Sequence, residues 1–265
     1  MCVVNLSISN IAWERRDDTE MYAFLHDINF AGLEIAPTTL FPDNPYEHCK
    51  EAAVFSKKLL SEYGLSVCSM QSIWYGRNEN IFNGERENQS LVDYTRKAVD
   101  FAAAVGCGNL VFGCPKNRNV PAGCTKHNII AIDFFTTIAD YAASKGTVIA
   151  FEPNPLLYGT NFINTTGQAF SFARKITGMK VNIDCGTIIA NGESLDIIAD
   201  NADLVNHVHI SEPNLEVIKQ RPLHKELIDI LQCAGYGGFV SIEMKNCGDI
   251  ETVKNTVKYL RGIVK

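Results

Sequence analysis

The feature that most constrains this chain is a fixed alternation of element types. A short apolar run, a turn and a helical stretch follow one another, and the same sequence of three then recurs. Apolar runs rich in β formers fall at residues 3–9, 32–36, 65–70, 109–112, 147–153, 180–187, 204–211 and 239–245. Helical patterns lie between them at 17–27, 46–63, 89–105, from Thr125 or Lys126 to 145, and at 165–175, 194–201, 222–234 and 249–263. Their punctuation is that of helices: acids open the first turn of 17–27, Thr165 or Thr166 is an N-cap, and Pro222 opens its helix. Gly64, Gly106, Gly146 and Gly235 supply stops. Strands alternating with helices build a parallel sheet. Eight such units in order can close on themselves, so the expected fold is α/β, a single (β/α)8 barrel. No linker or low-complexity segment interrupts the 265 residues, and 1–265 reads as one domain.

The ends of four of these strands carry the chemistry. In LVNHVHISEP (204–213), side chains alternate between faces. Leu204, Asn206 and Val208 fall on one face; Val205, His207 and His209 fall on the other. TVIAFEP, KVNIDCGT and FVSIEMK close on Glu152, Asp184 and Glu243. Successive strand-end residues are separated by about 25 to 35 positions, the length of one strand-plus-helix unit when eight share about 250 residues. Four consecutive strands thus deliver Glu, Asp, His and Glu to one rim, the rim where such barrels place catalysis. Buried carboxylates need a partner, and a shared divalent cation supplies one. Three carboxylates and an imidazole form a hard, oxygen-rich set that suits Mn²⁺, Mg²⁺ or Co²⁺ better than a thiolate-built zinc site, with Zn²⁺ still within its reach.

Composition narrows the partners. With 46% hydrophobic residues the chain can bury a substantial core, and a net charge of −6 argues against nucleic acid or an anionic membrane surface. The nine cysteines are odd in number and form no CxxC pair, so they read as buried thiols rather than a disulfide framework. MCVVNLSISN lacks the charged and apolar regions of a secretory leader, and no apolar stretch reaches membrane-spanning length. A cytoplasmic protein is expected; its state as monomer or homo-oligomer is open.

The pieces FEPNP (151–155), NIDCGT (182–187), HVHISEP (207–213) and SIEMK (241–245) resemble the sugar phosphate isomerase/epimerase family of xylose-isomerase-like TIM barrels. That family also includes inosose dehydratases and endonuclease IV. The resemblance implies that Glu152, Asp184, His209 and Glu243 are metal ligands. Two positions depart from the pattern: Thr187 stands where ketose-handling members carry His, and Leu215 where they carry Arg. The implied metal site therefore transfers more fully than the implied substrate. The multi-zinc nuclease arrangement needs further strand-end histidines that the first half does not offer.

The reading that follows is a metal-dependent sugar or sugar phosphate isomerase/epimerase. A divalent ion would stabilise an enediolate, and Glu152 and Glu243 would move the proton from opposite sides. Lys245, one strand step beyond Glu243, is a candidate catalytic residue, with a solvent-facing loop lysine as the alternative. Glu34, Trp74, Asn154 and His207 are candidate substrate-binding residues, His207 also as an orienting partner of a ligand or of Asn182. Trp74 and Tyr75 offer either an apolar wall for a sugar or rim packing. In the 113–124 loop, Lys116 or Arg118 would reach an anionic substrate if not simply solvated. An inosose-type dehydratase, an endonuclease IV-like phosphodiesterase and a non-catalytic sugar- or metal-binding barrel are the other readings.

Overall fold

The computed structural model describes residues 4–264; Val3 of the first run, Cys2 and Lys265 lie outside the described residues. Eight strands form a closed barrel in chain order. They are β1 (Asn5–Ser9), β2 (Gly32–Ile35), β3 (Ser66–Met70), β4 (Asn109–Phe112), β5 (Val148–Phe151), β6 (Lys180–Asp184), β7 (Val205–Ser211) and β8 (Phe239–Glu243). All pairings are parallel, and β1 against β8 closes the cylinder with Ser7 opposite Ser241. The expected single barrel is the fold observed.

The helices cover the outside because each has one apolar stripe to bury. The helix Glu85–Val105 starts four residues before the expected position, since Gly84 precedes two acids, Glu85 and Glu87, that favour a first helical turn. Gly106 stops it in the left-handed conformation, φ 73°. Thr165 is the N-cap of Thr166–Ala173, in a capping box with Gln168. The expected helix at 46–63 is a 3-10 turn, Pro45–Glu47, followed by Cys49–Tyr63. At 194–201 only one helical turn forms, Asp196–Ala199.

Between barrel and helices lies an aromatic core. Phe112 meets Phe135 edge to face at 4.7 Å, and Phe151 packs on Phe135 and Phe172. Each such fully buried ring contributes about 1.5–3 kcal/mol by leaving water. Trp74 belongs to this core. It is 2% exposed, stands edge-on to Phe112 and Phe134, and its indole N–H donates to Thr95 Oγ1 at 2.9 Å. Of its two expected roles, sugar wall and packing, Trp74 takes the packing one and is not a substrate-binding residue, while Tyr75 beside it is exposed.

Two corrections concern the functional strands. The run 180–187 stops as a strand at Asp184, because the Asp184 carboxylate accepts the Thr187 N–H and starts the helix Cys185–Asn191. In β7 the register against β6 slips between Val181 and Asn182. Asn206 is the extra residue of this bulge, and its side chain turns into the barrel, donating to Asn109 Oδ1 at 2.7 Å. It does not share the outward face of Val208.

The eight described cysteines are free; Cys68, Cys107 and Cys185 are buried, but Cys233 and Cys247 are exposed, against the expectation of buried thiols. Among the described residues no helix is long and apolar enough to cross a membrane.

Candidate metal centre and active site

The period of two along each strand decides which side chains share the barrel mouth. On β6, Asn182 and Asp184 point inward; on β7, His207, His209 and Ser211 do. Register then sets Asn182 beside His207 and Asp184 beside His209, with Ser211 next to Glu243 on β8. Glu152 follows the last residue of β5, and its N–H still bonds the Phe112 carbonyl of β4 at 2.9 Å. Gly113 makes room for it: a Cβ there would lie 2.6 Å from Glu152 Oε2.

Glu152, Asp184, His209 and Glu243 converge so that one ligand atom from each lies within 4.8 Å of the others. The four expected metal ligands are thus one cluster. Nδ1 of His209 sits 3.1 Å from Glu152 Oε1 and 3.1 Å from Glu243 Oε2. Asn182, unassigned by the sequence reading, donates to Glu152 Oε1 at 3.1 Å.

The cluster is electrostatically unsatisfied as protein alone. Burial raises the carboxyls of Glu152, Asp184 and Glu243 above the ordinary carboxylate range, and neighbouring carboxylates push each the same way. Burial opposes a charge on His209, yet Glu243, Glu34 and Glu152 together hold its imidazole well above its usual value. Three crowded carboxylates and one imidazole are what a hard divalent cation compensates, so the residues fit the ion expected there.

Asp184 is held at both oxygens. Oδ2 accepts the Thr187 N–H at 2.7 Å and the Thr187 hydroxyl at 2.8 Å, while Oδ1 accepts the Ser211 hydroxyl. Thr187, at the position where the resembled family carries a substrate-contacting His, is in this chain buried and committed to Asp184 and the Pro153 carbonyl. Strand alternation alone would have marked Asn182 and Ser211, each two residues from a ligand. The Thr187 contact follows from the helix start, which the strand pattern hid.

Beneath the cluster lies Glu34, fully buried on β2. Its Oε2 is 3.0 Å from His209 Nε2 and 2.9 Å from His207 Nε2, the latter off the line of a hydrogen bond. Burial alone would raise the Glu34 carboxyl, but the two imidazoles hold it well below the usual range. Burial pushes His207 below its ordinary value. Glu34 and His207 therefore lie under the ligands and not on the cavity wall. Sequence reasoning had offered them as substrate contacts; the histidine pair is what Glu34 meets.

Above the cluster is a cavity of about 430 Å³ lined by Glu152, Asp184, Glu243, Asn154, Gln71 and Tyr158 among others. Asn154 is held from behind by Arg118, whose guanidinium donates to Asn154 Oδ1 at 2.7 Å, Phe162 O at 2.7 Å and Glu152 O at 3.1 Å. Arg118 is 0% exposed, stacks over Phe151 at 4.5 Å, and burial pushes it down to about 9. The 113–124 loop thus sends its arginine inward as a brace, while Lys116 is exposed. Lys245 lies past the end of β8 with its side chain in solvent; its backbone N–H bonds Leu215 O at 2.9 Å. It does not line the cavity, so of its two readings the solvent-facing loop lysine is the one observed and the catalytic one is not.

The sequence model for the xylose isomerase-like TIM barrel matches residues 22–263. No curated protein matches the sequence significantly. Among solved structures, the chain is similar to 3-keto-D-glucoside 4-epimerase from E. coli, with 19% identity and TM-score 0.75 over 98% of this chain and 99% of that one. It is also similar to D-psicose 3-epimerase from Clostridium cellulolyticum H10, with 14% identity and TM-score 0.77 over 99% and 100%. An AP endonuclease of family 2 from Brucella melitensis matches at 18% identity and TM-score 0.74 over the full length of both chains. At these identities the likeness is one of fold.

Proposed function

The chain belongs to the xylose isomerase-like TIM-barrel family, and from that premise we propose that it is a divalent-metal-dependent sugar isomerase or epimerase acting by proton transfer. The observation that carries this reading is the convergence of Glu152 and Glu243, from β5 and β8, on the same His209 Nδ1 at 3.1 Å each, under a cavity of monosaccharide size.

A divalent ion held by Glu152, Asp184, His209 and Glu243 would supply Lewis-acid stabilisation for the negative oxygen that develops when a C–H proton beside a carbonyl leaves. The chain's own groups do the rest. One of the two glutamates takes the proton and the other returns one, to the opposite face or to the neighbouring carbon. Asn182 steadies Glu152 Oε1, and Asn154, fixed by Arg118, borders the same carboxylate. Asp184, doubly held by Thr187 and Ser211, is a fixed ligand and not a proton carrier.

The wall favours an uncharged sugar over its phosphate ester. Among the described residues lining the cavity there is no lysine or arginine, and the charged groups are carboxylates. Glu212 is engaged by Arg221 in a two-point ion pair, so that guanidinium is already committed. An anionic substrate would find no lysine or arginine side chain on this wall, and only the bound ion, already shared by three carboxylates, to offset its charge. This argues equally against a phosphodiester.

The test is deuterium incorporation. Mn²⁺-loaded protein incubated in D₂O with free ketoses, aldoses and keto-sugars should place deuterium on the carbon that changes configuration or oxidation level. Products free of deuterium, at low and high conversion, would rule out transfer through exchangeable carboxylic acids. Loss of water with a new carbonyl would move the reading to a dehydratase.

A further inference from the structure

Tyr158 is a residue that neither the strand pattern nor the cluster of ligands singles out. It ends a 3-10 turn, Leu156–Tyr158, in the loop after β5, and it lines the cavity above the cluster. The phenol oxygen accepts the backbone N–H of Asn214 at 2.8 Å, from the loop after β7. That loop is strained: Asn214 and Leu215 are consecutive non-glycine residues with left-handed backbone, φ 61° and 54°. The Tyr158 contact on one and the Lys245 N–H on the carbonyl of the other hold this conformation.

A phenol that accepts one hydrogen bond still has a proton to donate. Among the described residues the Tyr158 hydroxyl has no acceptor, although it lines the same cavity as Glu152, Asp184 and Glu243. The other polar groups nearby are largely engaged, Asp184 by Thr187 and Ser211, and Asn154 Oδ1 by Arg118. A site of carboxylates is rich in acceptors, and a polyol that binds there needs a neutral donor opposite them.

Resting on the sugar reading above, we infer that Tyr158 is a substrate-contacting, specificity-determining residue: its hydroxyl donates to one oxygen of the bound sugar while it latches the β7 loop through Asn214. Tyrosine suits the task, since it places a donor at the end of a stiff ring without bringing a cation into a cluster that must hold one.

The experiment uses full-length, Mn²⁺-loaded wild type and Tyr158→Phe, with the sugar giving the fastest deuterium exchange and its set of monodeoxy analogues. The phenylalanine ring preserves the packing, and calorimetric Mn²⁺ titration verifies that the ligand cluster is intact. Tyr158→Phe is expected to lose about tenfold in kcat/KM on the parent sugar, the worth of one neutral hydrogen bond. The decisive result lies in the analogues. In the wild type, each missing hydroxyl that makes a contact carries a penalty; in Tyr158→Phe, the penalty at a single position should vanish while the others persist. Calorimetric binding of the same analogues should show the same pattern. An unchanged kcat/KM in Tyr158→Phe overturns the inference. So does a loss in which every deoxy penalty persists, because the hydroxyl would then act only as a latch. Deuterium exchange with no sugar at all in the wild type would instead overturn the functional reading beneath it.

Discussion

Nε2 of His209 lies 3.0 Å from Glu34 Oε2, and this contact decides which edge of the imidazole faces the cavity. With Nε2–H donating downward to a buried carboxylate, Nδ1 is the nitrogen turned toward Glu152 and Glu243, and the one that would give up its proton to ligate a bound ion. A carboxylate behind a metal-ligating histidine fixes its tautomer and raises its basicity.

Glu34→Gln is therefore expected to lower Mn²⁺ affinity by about 10- to 100-fold, the usual cost of losing such a partner. Calorimetric titration of the folded variant measures it. Unaltered affinity would mean that the β7 backbone alone orients His209.

Asp184→Asn and Glu243→Gln should each abolish tight divalent-ion binding while the barrel still folds. The first variant retains an oxygen for the Thr187 N–H, so the helix start at Cys185 survives. Elemental analysis after dialysis, with circular dichroism on the same samples, separates the two effects. Stoichiometric metal in either variant would remove that residue from the ligand set.

Arg118→Met strips the buried carbonyls of Phe162 and Glu152 and the Asn154 amide of their shared donor. Unfolding stability should fall by about 3 kcal/mol, within the range for orphaned buried polar groups. Arg118→Lys should recover only part, since an ammonium lacks the planar fork. Urea unfolding curves of the three proteins provide the check, and equal midpoints would deny Arg118 its bracing role.

Lys245→Met is expected to leave kcat/KM within about twofold of wild type, as exposed substitutions away from a site generally do. The Lys245 side chain is exposed to solvent. A large fall in turnover would show that the loop after β8 closes on substrate and carries the lysine inward.

His224 is buried against Tyr259, 3.0 Å from Nδ1 to the phenol oxygen, and burial pushes it down to about 4. The unfolded chain binds its proton at an ordinary value near 6.5, so the unfolded state holds more protons between these limits. Stability contributed by the neutral form is thus complete above about pH 6.5 and is lost as the pH falls toward 4, by at most about 3 kcal/mol. His224→Leu should flatten this part of the stability–pH curve. A curve parallel to wild type from pH 7 to 4.5 would rule out His224 as a contributor.

The barrel and the four side chains that cluster at its mouth were legible because they depend on patterns local to each strand. Apolar runs of period two, glycine stops and a strand-end acid or histidine are set by a few consecutive residues, and the unit spacing then aligns the ends. Glu152, Asp184, His209 and Glu243 emerged in this way, and they converge. For Lys245 and Trp74 the sequence left two readings open, because past the end of a strand alternation no longer governs direction. The chain bends after Glu243 and leaves Lys245 in solvent, while the segment after β3 folds Trp74 into the aromatic core.

What the sequence by itself determined is the order of elements and the identity of the charges delivered to one rim, since backbone periodicity and turn chemistry act over short distances. What only the tertiary structure decided is how residues far apart in the chain share their polar groups. Glu34 meets His209 across 175 positions, Arg118 turns inward to brace the loop after β5, and the Asn206 bulge shifts the β6–β7 register. A buried donor or acceptor must find a partner wherever the closed barrel places one, and that choice depends on three-dimensional proximity, which no local pattern encodes.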